Sequence, residues 1–291
     1  MLETITLVEC PRDAFQGLPQ FIPTETKADY LLALIDAGFS EIDFGSFVSP
    51  RAVPQMRDTA QVLDRVRARL GRTQLIAIVP NETGLAAAIG ARDIRCAGFS
   101  LSVSETFQQR NFRQTLAQAW KMTSDLRKRS HAVGMEFMVY LSMAFGNPYG
   151  DAWSAERVIS FVEKLSRSDV SKVSLADTVG LVSAETVHTL VSTCRLRFPD
   201  LELGVHLHAR PDGWEPVVMA AYSAGCRRFD GALGGMGGCP FAEDTLVGNI
   251  PTEKLIERFS KLRLKLEVTQ ESVQPALAKA QHISSRYSRG H

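Results

Sequence analysis

The segment 203–208, Leu-Gly-Val-His-Leu-His, places two histidines two residues apart. Alternate side chains of a β-strand point to opposite faces, so His206 and His208 would share one face, about 7 Å apart along the strand. Two imidazoles in this arrangement can close on one metal ion. Short motifs also match by chance, and each histidine could instead be hydrogen-bonded in its own polar pocket. The interpretation therefore depends on the rest of the chain.

An acid and an amide elsewhere in the chain can complete a metal site. Asp13 offers a carboxylate, and Asn249, in Val-Gly-Asn-Ile, offers an amide oxygen. A mixed oxygen and nitrogen set without thiolate favours Mg²⁺ or Mn²⁺ over structural zinc. Taken singly, Asp13 is also typical of a helix or turn cap, and Asn249 of a turn residue after glycine.

Two further side chains have the chemistry for charge and proton handling. Arg12, beside Asp13, would stabilise negative charge developing on a substrate oxygen, or would pair with Asp43 or Asp177. Cys239 follows the glycine-rich run 234–238, whose backbone can swing or approach a ligand closely. A thiol there could deliver or remove a proton, although a lone cysteine is often a small buried apolar residue. The run lacks the lysine and Ser/Thr of a phosphate-binding P-loop, which excludes nucleotide binding there.

Short β-rich runs alternate with amphipathic helical stretches along the whole chain. The predicted strands span 4–9, 41–45, 74–80, 94–103, 135–142, 172–176, 203–208 and 228–233. The predicted helices span 27–37, 54–70, 84–90, 104–132, 155–166, 184–197 and 214–224, another begins at 252, and an extra helix at 267–282 precedes a frayed polar tail over 284–291.

Eight strands, each followed by a helix, are typical of an α/β protein with the (β/α)₈ TIM-barrel fold. We expect a single domain over 1–291, with the barrel at about 4–262 and a C-terminal helix at about 267–283. A doubly wound open sheet usually has a glycine-rich turn after its first strand, whereas the turn here is Cys-Pro-Arg-Asp.

The barrel prediction brings the candidate side chains together. Catalytic groups of this fold lie at the carboxyl ends of the strands and on the loops that follow. The polar candidates occupy such positions after the first, second, sixth, seventh and eighth predicted strands. These candidates are Arg12, Asp13, Asp43, Asp177, His206, His208 and Cys239.

Composition limits the classes of partner. The net charge of +1 and the absence of a long basic run argue against nucleic acid. No apolar stretch approaches the roughly 18 residues needed to span a bilayer, and the first residues lack the positive charge of a signal peptide. Five scattered cysteines suit a reducing compartment, so we expect a cytoplasmic protein. The oligomeric state stays open, with a homodimer as one candidate.

Seven segments resemble hydroxymethylglutaryl-CoA lyases, in that family's order and at similar spacing between about residues 5 and 260. They are Glu-Cys-Pro-Arg-Asp-Ala-Phe-Gln (9–16), Gly-Ser-Phe-Val-Ser-Pro (45–50), Val-Pro-Gln-Met (53–56), Ala-Asp-Thr-Val-Gly (176–180), His-Leu-His (206–208), Gly-Gly-Cys-Pro-Phe-Ala (237–242) and Gly-Asn (248–249). The Ser-Phe-Val-Ser-Pro and Gly-Gly-Cys-Pro segments are the most diagnostic. The Arg-Asp and His-x-His pieces are shared with the wider metallolyase superfamily, including the isopropylmalate and homocitrate synthases.

The resemblance implies a metal-assisted retro-Claisen cleavage of an acyl-CoA, 3-hydroxy-3-methylglutaryl-CoA, to acetoacetate and acetyl-CoA, as in leucine breakdown and ketone-body formation. Arg12 would lie beside the acetyl-CoA enolate and Cys239 would supply the proton that quenches it. Asp13, His206 or a water would accept the hydroxyl proton. Asp177 and Asp43 would be polar members of the active site. The implied ligands of the divalent cation are Asp13, His206, His208 and Asn249.

Several residues depart from the family pattern. Ala14-Phe15 replaces Gly-Leu, Gly17-Leu18-Pro19 replaces Asn-Glu-Lys, Asp43 replaces a glutamate, and Ala209-Arg210 replaces Asp-Thr. These changes surround the metal set, so they bear on the substrate more than on the chemistry. One alternative is another aldol- or Claisen-type reaction on a different hydroxy acid; the synthases usually carry long C-terminal additions, which favours the lyase. Another is a barrel that binds a metal or acyl-CoA without turnover. Residues 107–113 would contact the CoA portion or begin a solvated helix.

Overall fold

Eight parallel strands close into a barrel in the computed structural model, which describes residues 3–180, 182–237 and 247–288. Each strand pairs with the next along the chain, and the eighth pairs with the first. A short ninth strand runs antiparallel to the seventh. The strands are β1 (Thr6–Glu9), β2 (Glu41–Ser46), β3 (Gln74–Ile78), β4 (Cys96–Ser102), β5 (Glu136–Ser142), β6 (Lys172–Asp177), β7 (Glu202–Ala209), β8 (Arg228–Gly231) and β9 (Gly248–Asn249). The predicted TIM barrel is confirmed.

Helices pack around the outside of the barrel, where their apolar faces cover the outward-pointing strand residues. They are α1 (Pro11–Gln16), α2 (Thr24–Ala37), α3 (Thr59–Val66), α4 (Glu82–Ala91), α5 (Glu105–Phe112), α6 (Leu116–Ala132), α7 (Ala155–Arg167), α8 (Ala184–Arg197), α9 (Trp214–Ser223), α10 (Thr252–Lys261) and α11 (Gln270–Tyr287). Within the described ranges, none combines the length and apolar character that crossing a bilayer requires.

The single helix predicted over 104–132 is wrong, because two helices occupy this stretch. Arg113 adopts a left-handed φ of 54° and its N–H bonds to the carbonyl of Gln109, which ends α5. Thr115 and Gln118 then form a reciprocal capping box that begins α6. The break turns α5 into a separate short helix above the fourth strand.

Two other helix predictions also need correction. The helix expected over 54–70 is reduced to α3 between two 3₁₀ turns, since the Asp58 carboxylate is drawn to Lys27 at 2.6 Å and Thr24 at 2.8 Å instead of capping the helix. The tail predicted as frayed over 284–291 is helical as far as Tyr287, whose side chain is buried. Its carbonyl also accepts the N–H of Gln20.

The barrel interior is layered along its axis. Charged groups close the amino end, where Arg228 pairs with Glu41 at 2.7 Å. A Cβ on Gly204 would lie 2.9 Å from Cδ of Arg228, so the glycine makes room for this side chain. Apolar side chains fill the middle, among them Val8 and Met138. The polar candidates occupy the carboxyl end, as the fold predicts.

Candidate active site

Asp13 and Arg12 enter the site from α1, which follows directly after β1. Pro11 occupies the first turn of this helix, where its missing N–H has no helical partner to lose. Both polar side chains are almost fully buried, with 5% of Asp13 and 9% of Arg12 exposed. The helix therefore turns a carboxylate and a guanidinium into the mouth of the barrel.

The two histidines of β7 point into the barrel, as the alternation of the strand predicts. Their Nε2 atoms lie 3.1 Å apart. Asp13 Oδ2 lies 3.8 Å from Nε2 of His206 and 3.6 Å from Nε2 of His208. The acid from the start of the chain and the two imidazoles from its later part thus converge on one point.

This donor set fits a divalent metal ion. Ligand bonds of about 2.0–2.2 Å hold neighbouring ligands roughly 3.0–3.5 Å apart, close to the separations seen here. Asp13, His206 and His208 each direct one ligand atom into the cluster, and all three are buried. The set has two nitrogens, one carboxylate oxygen and no sulfur, a combination of ligands that binds divalent cations.

Asn249 lies beside this cluster because β9 pairs with the end of β7. His208 is its partner in the register. The Asn249 amide nitrogen donates to Asp13 Oδ2 at 2.9 Å and to the Met236 carbonyl at 2.8 Å, and the side chain is 3% exposed. Asn249 thus anchors Asp13 directly, and these two bonds fix which end of its amide is the donor.

Arg12 is held by two carboxylates. Its Nη2 lies 2.5 Å from Asp43 Oδ2, and its Nη1 lies 2.7 Å from Asp13 Oδ1. Burial disfavours the charge, but the two acids outweigh it and raise the pKa of Arg12, so the guanidinium stays protonated. Of the two ion-pair partners predicted for Arg12, Asp43 is confirmed.

The charges of the site favour an ionised Asp13. Burial opposes its ionisation, but Arg12 and the two imidazoles outweigh this and hold the pKa of Asp13 well below its usual range. Burial also opposes charge on His206, yet its hydrogen bond to Asp230 and the charges of Asp13 and Asp230 raise the pKa of this imidazole. The site is therefore built to hold positive charge next to Asp13.

A cavity of about 430 Å³ opens above these groups. Arg12, Asp13, His206 and His208 form its polar floor. The rest of its wall carries hydroxyl groups, apolar side chains and residues of α5. These wall residues include Ser100, Ser142, Thr178, Val48, Val53, Phe107, Asn111 and Phe112. A ligand can reach the convergent polar groups from solvent through this space.

Asp177 takes a different position from the other candidates. Its carboxylate accepts the N–H groups of Gly180 at 3.0 Å and Val182 at 3.1 Å, which organises the turn after β6. On this strand Ser174 and Ala176 face inward, so Asp177 points outward by alternation. Its neighbour Thr178 lines the cavity instead.

The glycine-rich run is described only in its first part. Gly237 has a φ of +80°, and a Cβ there would lie 2.7 Å from Cα of Ala14, so the backbone packs directly against α1. Close approach, one of the two roles expected of these glycines, is therefore present. Cys239 lies outside the described residues.

The sequence reasoning missed two buried residues of the site, Tyr140 and Asp230, and the half-buried Gln16. Gln16 donates to Asp13 Oδ1 at 2.9 Å, one helical turn along α1, so helical spacing could have identified it. Tyr140 packs the edge of its ring against His206, with centroids 5.7 Å apart. Asp230, on β8, lies 3.1 Å from Nδ1 of His206, and only its position in a predicted strand hinted at an inward side chain.

The sequence of the chain is similar to those of known CoA-ester lyases. The HMGL-like family model matches residues 5–279. The (R)-citramalyl-CoA lyase of Chloroflexus aurantiacus is 35% identical over 273 residues, which are 90% of this chain and 85% of that protein. A hydroxymethylglutaryl-CoA lyase of Bacillus subtilis is 31% identical over 263 residues, 90% of this chain and 87% of that protein.

A solved structure shares both the fold and the sequence signal. An HMG-CoA lyase from Acinetobacter baumannii, in complex with coenzyme A and 3-methylmalate, superposes with a TM-score of 0.87 at 31% identity. The match covers 97% of this chain and 90% of that one. With a family model that spans most of its length and relatives of this similarity, the chain belongs to the HMGL-like family of carbon–carbon lyases that act on CoA esters.

Proposed function

We propose that the protein is a divalent-metal-dependent lyase that cleaves 3-hydroxy-3-methylglutaryl-CoA to acetoacetate and acetyl-CoA. The observation that carries the proposal is the convergence of Asp13, His206 and His208 beside Arg12 at the floor of the cavity. The HMG-CoA lyases among its relatives support this substrate.

The proposed cation is Mg²⁺ or Mn²⁺. When bound, such an ion supplies Lewis-acid chemistry, since the pKa of a coordinated hydroxyl falls. Asn249 is the proposed fourth ligand, through its amide oxygen, and it also holds Asp13 in place. The proposed ligand set is Asp13, His206, His208 and Asn249.

During cleavage, negative charge develops on the oxygen of the tertiary hydroxyl and then on the thioester oxygen. The tertiary hydroxyl of the substrate gives its proton to a base, for which Asp13, His206 and a water are the candidates. Its oxygen becomes the ketone of acetoacetate as the bond between C2 and C3 breaks. The bonding electrons pass to the thioester as the enolate of acetyl-CoA. Arg12 is a fixed cation facing the cavity, because its guanidinium is ion-paired with Asp43 and Asp13. We assign it to the enolate oxygen, where a preorganised charge is most effective.

The enolate must then receive a proton on carbon. On the strength of the family resemblance we assign this proton to the thiol of Cys239. The described start of its loop, at Gly237, packs against α1, the helix that carries Asp13. Asp43 is proposed to position Arg12, and Asp177 to position the turn that carries the cavity residue Thr178.

Citramalyl-CoA is a second candidate substrate. It is also a 3-hydroxy-3-methylacyl thioester with a free carboxylate, but it is one methylene shorter and would yield pyruvate with acetyl-CoA. The 35% identity to a protein named (R)-citramalyl-CoA lyase favours it. The altered residues around the metal set, Ala14, Phe15, Asp43, Ala209 and Arg210, are compatible with a changed substrate.

The CoA portion is proposed to run along α5. Phe107, Asn111 and Phe112 line the cavity, which supports contact by the 107–113 segment that the sequence singled out. The four cysteines of the described ranges are unpaired, which supports a reducing, cytoplasmic location.

One assay tests the reaction and the substrate together. The purified protein, supplied with Mg²⁺, is incubated separately with 3-hydroxy-3-methylglutaryl-CoA and with citramalyl-CoA, and the acetyl-CoA, acetoacetate and pyruvate produced are measured. Acetoacetate from the first ester supports the main proposal, and pyruvate from the second alone supports the shorter substrate. Cleavage of neither ester by folded, metal-loaded protein would overturn both.

A further inference from the structure

We propose that Asp230 is the positioning residue of the metal site: it accepts the Nδ1 proton of His206 and thereby presents the Nε2 lone pair to the ion. Asp230 lies on β8 and is 3% exposed. Its Oδ2 is 3.1 Å from Nδ1 of His206 and 3.2 Å from the hydroxyl of Ser174 on β6. The inference rests on the proposed metal site.

The contacts around His206 leave its ring little freedom. Asp230 holds one nitrogen, and the opposite nitrogen faces the Nε2 of His208 at 3.1 Å. Tyr140 packs nearly perpendicular to the ring, at an interplanar angle of 82°. A carboxylate can only accept from the imidazole, so the neutral ring carries its proton on Nδ1. The other nitrogen is then a free ligand atom that points at Asp13.

His208 differs from His206 in the surroundings of its Nδ1 atom. Nδ1 of His208 is buried and has no hydrogen-bond partner among the described residues. The two imidazoles therefore differ, because a carboxylate orients only the ring of His206 among the described residues. Such outer carboxylates typically contribute 10–100-fold to metal affinity.

The second carboxylate oxygen of Asp230, Oδ1, argues against a purely structural role. Within the described part of the chain its Oδ1 has no hydrogen-bond partner. A buried carboxylate satisfied on one oxygen is costly for folding. Its charge is balanced from below by Arg228, two residues earlier on the strand. Asp230 thus lies between Arg228 at the amino end of the barrel and His206 at the carboxyl end.

A second cation between His206, Asp230 and Cys10 is the competing interpretation, since these side chains also converge. It would require Nδ1 of His206, the atom that Asp230 already engages. It would also require a thiolate, whereas burial raises the pKa of Cys10 far above its usual range. The single site with an oriented histidine is therefore the one the geometry favours.

Variants at one buried acid, with a second buried acid as control, test the role of Asp230. Asp230→Leu removes the acceptor, and Asp230→Asn keeps an oxygen but removes the charge. Glu41→Gln alters a buried acid at the opposite end of the barrel, where it pairs with Arg228. Mn²⁺ affinity of the metal-free proteins is measured by calorimetry, folding by thermal melting, and the His206 tautomer by ¹⁵N NMR.

We expect Mn²⁺ to bind Asp230→Leu 10–100-fold more weakly than wild type, Asp230→Asn to fall between, and Glu41→Gln to bind like wild type. We also expect His206 of the wild type to carry its proton on Nδ1. A wild-type His206 protonated on Nε2 overturns the inference even if the variants do not fold, and unchanged affinity in folded Asp230→Leu overturns it too. A wild type without any Mn²⁺ site would instead overturn the proposed function along with it.

Discussion

The Nε2 atoms of His206 and His208 face each other at 3.1 Å. Asp13 Oδ2 lies within 3.8 Å of both nitrogens. Two neutral imidazole nitrogens can share at most one proton between them. A divalent cation would satisfy both lone pairs and the carboxylate at once, which would account for three buried polar groups at one point.

Removal of the metal should abolish cleavage. We expect protein treated with EDTA and freed of the chelator to lose cleavage of its CoA ester, because the donor set then holds no Lewis acid. Added Mg²⁺ or Mn²⁺ should restore it. The measurement is acetyl-CoA release before and after chelation, and undiminished activity in the chelated protein would refute metal dependence.

Loss of the buried partner of Arg12 should destabilise the fold. Asp43 is fully buried and accepts Nε and Nη2 of Arg12. Asp43→Asn is expected to lower the free energy of unfolding by about 3 kcal/mol, because it leaves a buried cation short of charge. Asp36→Asn, which affects an exposed pair with Arg69, should cost less than about 1 kcal/mol. Urea titrations measure both, and equal costs would contradict the prediction.

Glu9 should give the stability a specific pH dependence. This buried carboxyl accepts from Tyr30, the Leu233 N–H and Thr252, and its burial raises its pKa from 4.5 to about 7. The folded protein therefore binds this proton more tightly than the unfolded chain. The resulting contribution, about 3 kcal/mol, is present below pH 4.5 and disappears as the pH rises through 7.

The variant Glu9→Gln isolates this effect. It cannot ionise, so its unfolding free energy minus that of wild type should rise by about 3 kcal/mol between pH 4.5 and pH 8. Urea titrations of both proteins at several pH values provide the comparison. Parallel pH profiles would show that Glu9 ionises equally in both states.

The proposed proton donor can be tested by a single-atom change. Cys239→Ser should retain metal and substrate binding but lose most turnover, because a hydroxyl is a far weaker acid than a thiol. Cys194→Ala is the control, since this thiol is buried in α8 and away from the cavity. The readout is kcat alongside KM. Full turnover in Cys239→Ser would remove the thiol from the mechanism.

Strand alternation and the barrel rule account for what could be predicted. They place His206 and His208 on one face and Asp13 at the same mouth. Strand alternation also predicts that Asp177 points outward, because its neighbour Ala176 faces the interior of the barrel. The choice of Asp43 as the partner of Arg12 depended on knowing that β2 neighbours β1.

Other features of the structure depend on tertiary contacts and could not be predicted from the sequence. A charged residue within a strand, such as Asp230, is predicted as buried only when its partner on the neighbouring strand, here His206 on β7, is known. The diversion of Asp58 to Lys27, which shortens α3, arises from a contact 31 residues apart in the chain. The break before α6 was the exception, since Thr115 and Gln118 carry a recognisable capping-box spacing.

Electron paramagnetic resonance of Mn²⁺ added to the metal-free protein tests the central claim most directly. One tightly bound ion per chain is expected, with hyperfine coupling to the nitrogens of two imidazoles, and the coupling to one of them should vanish in His208→Ala. Folded wild-type protein that binds no Mn²⁺, or binds it without nitrogen coupling, would contradict the shared ion of Asp13, His206 and His208.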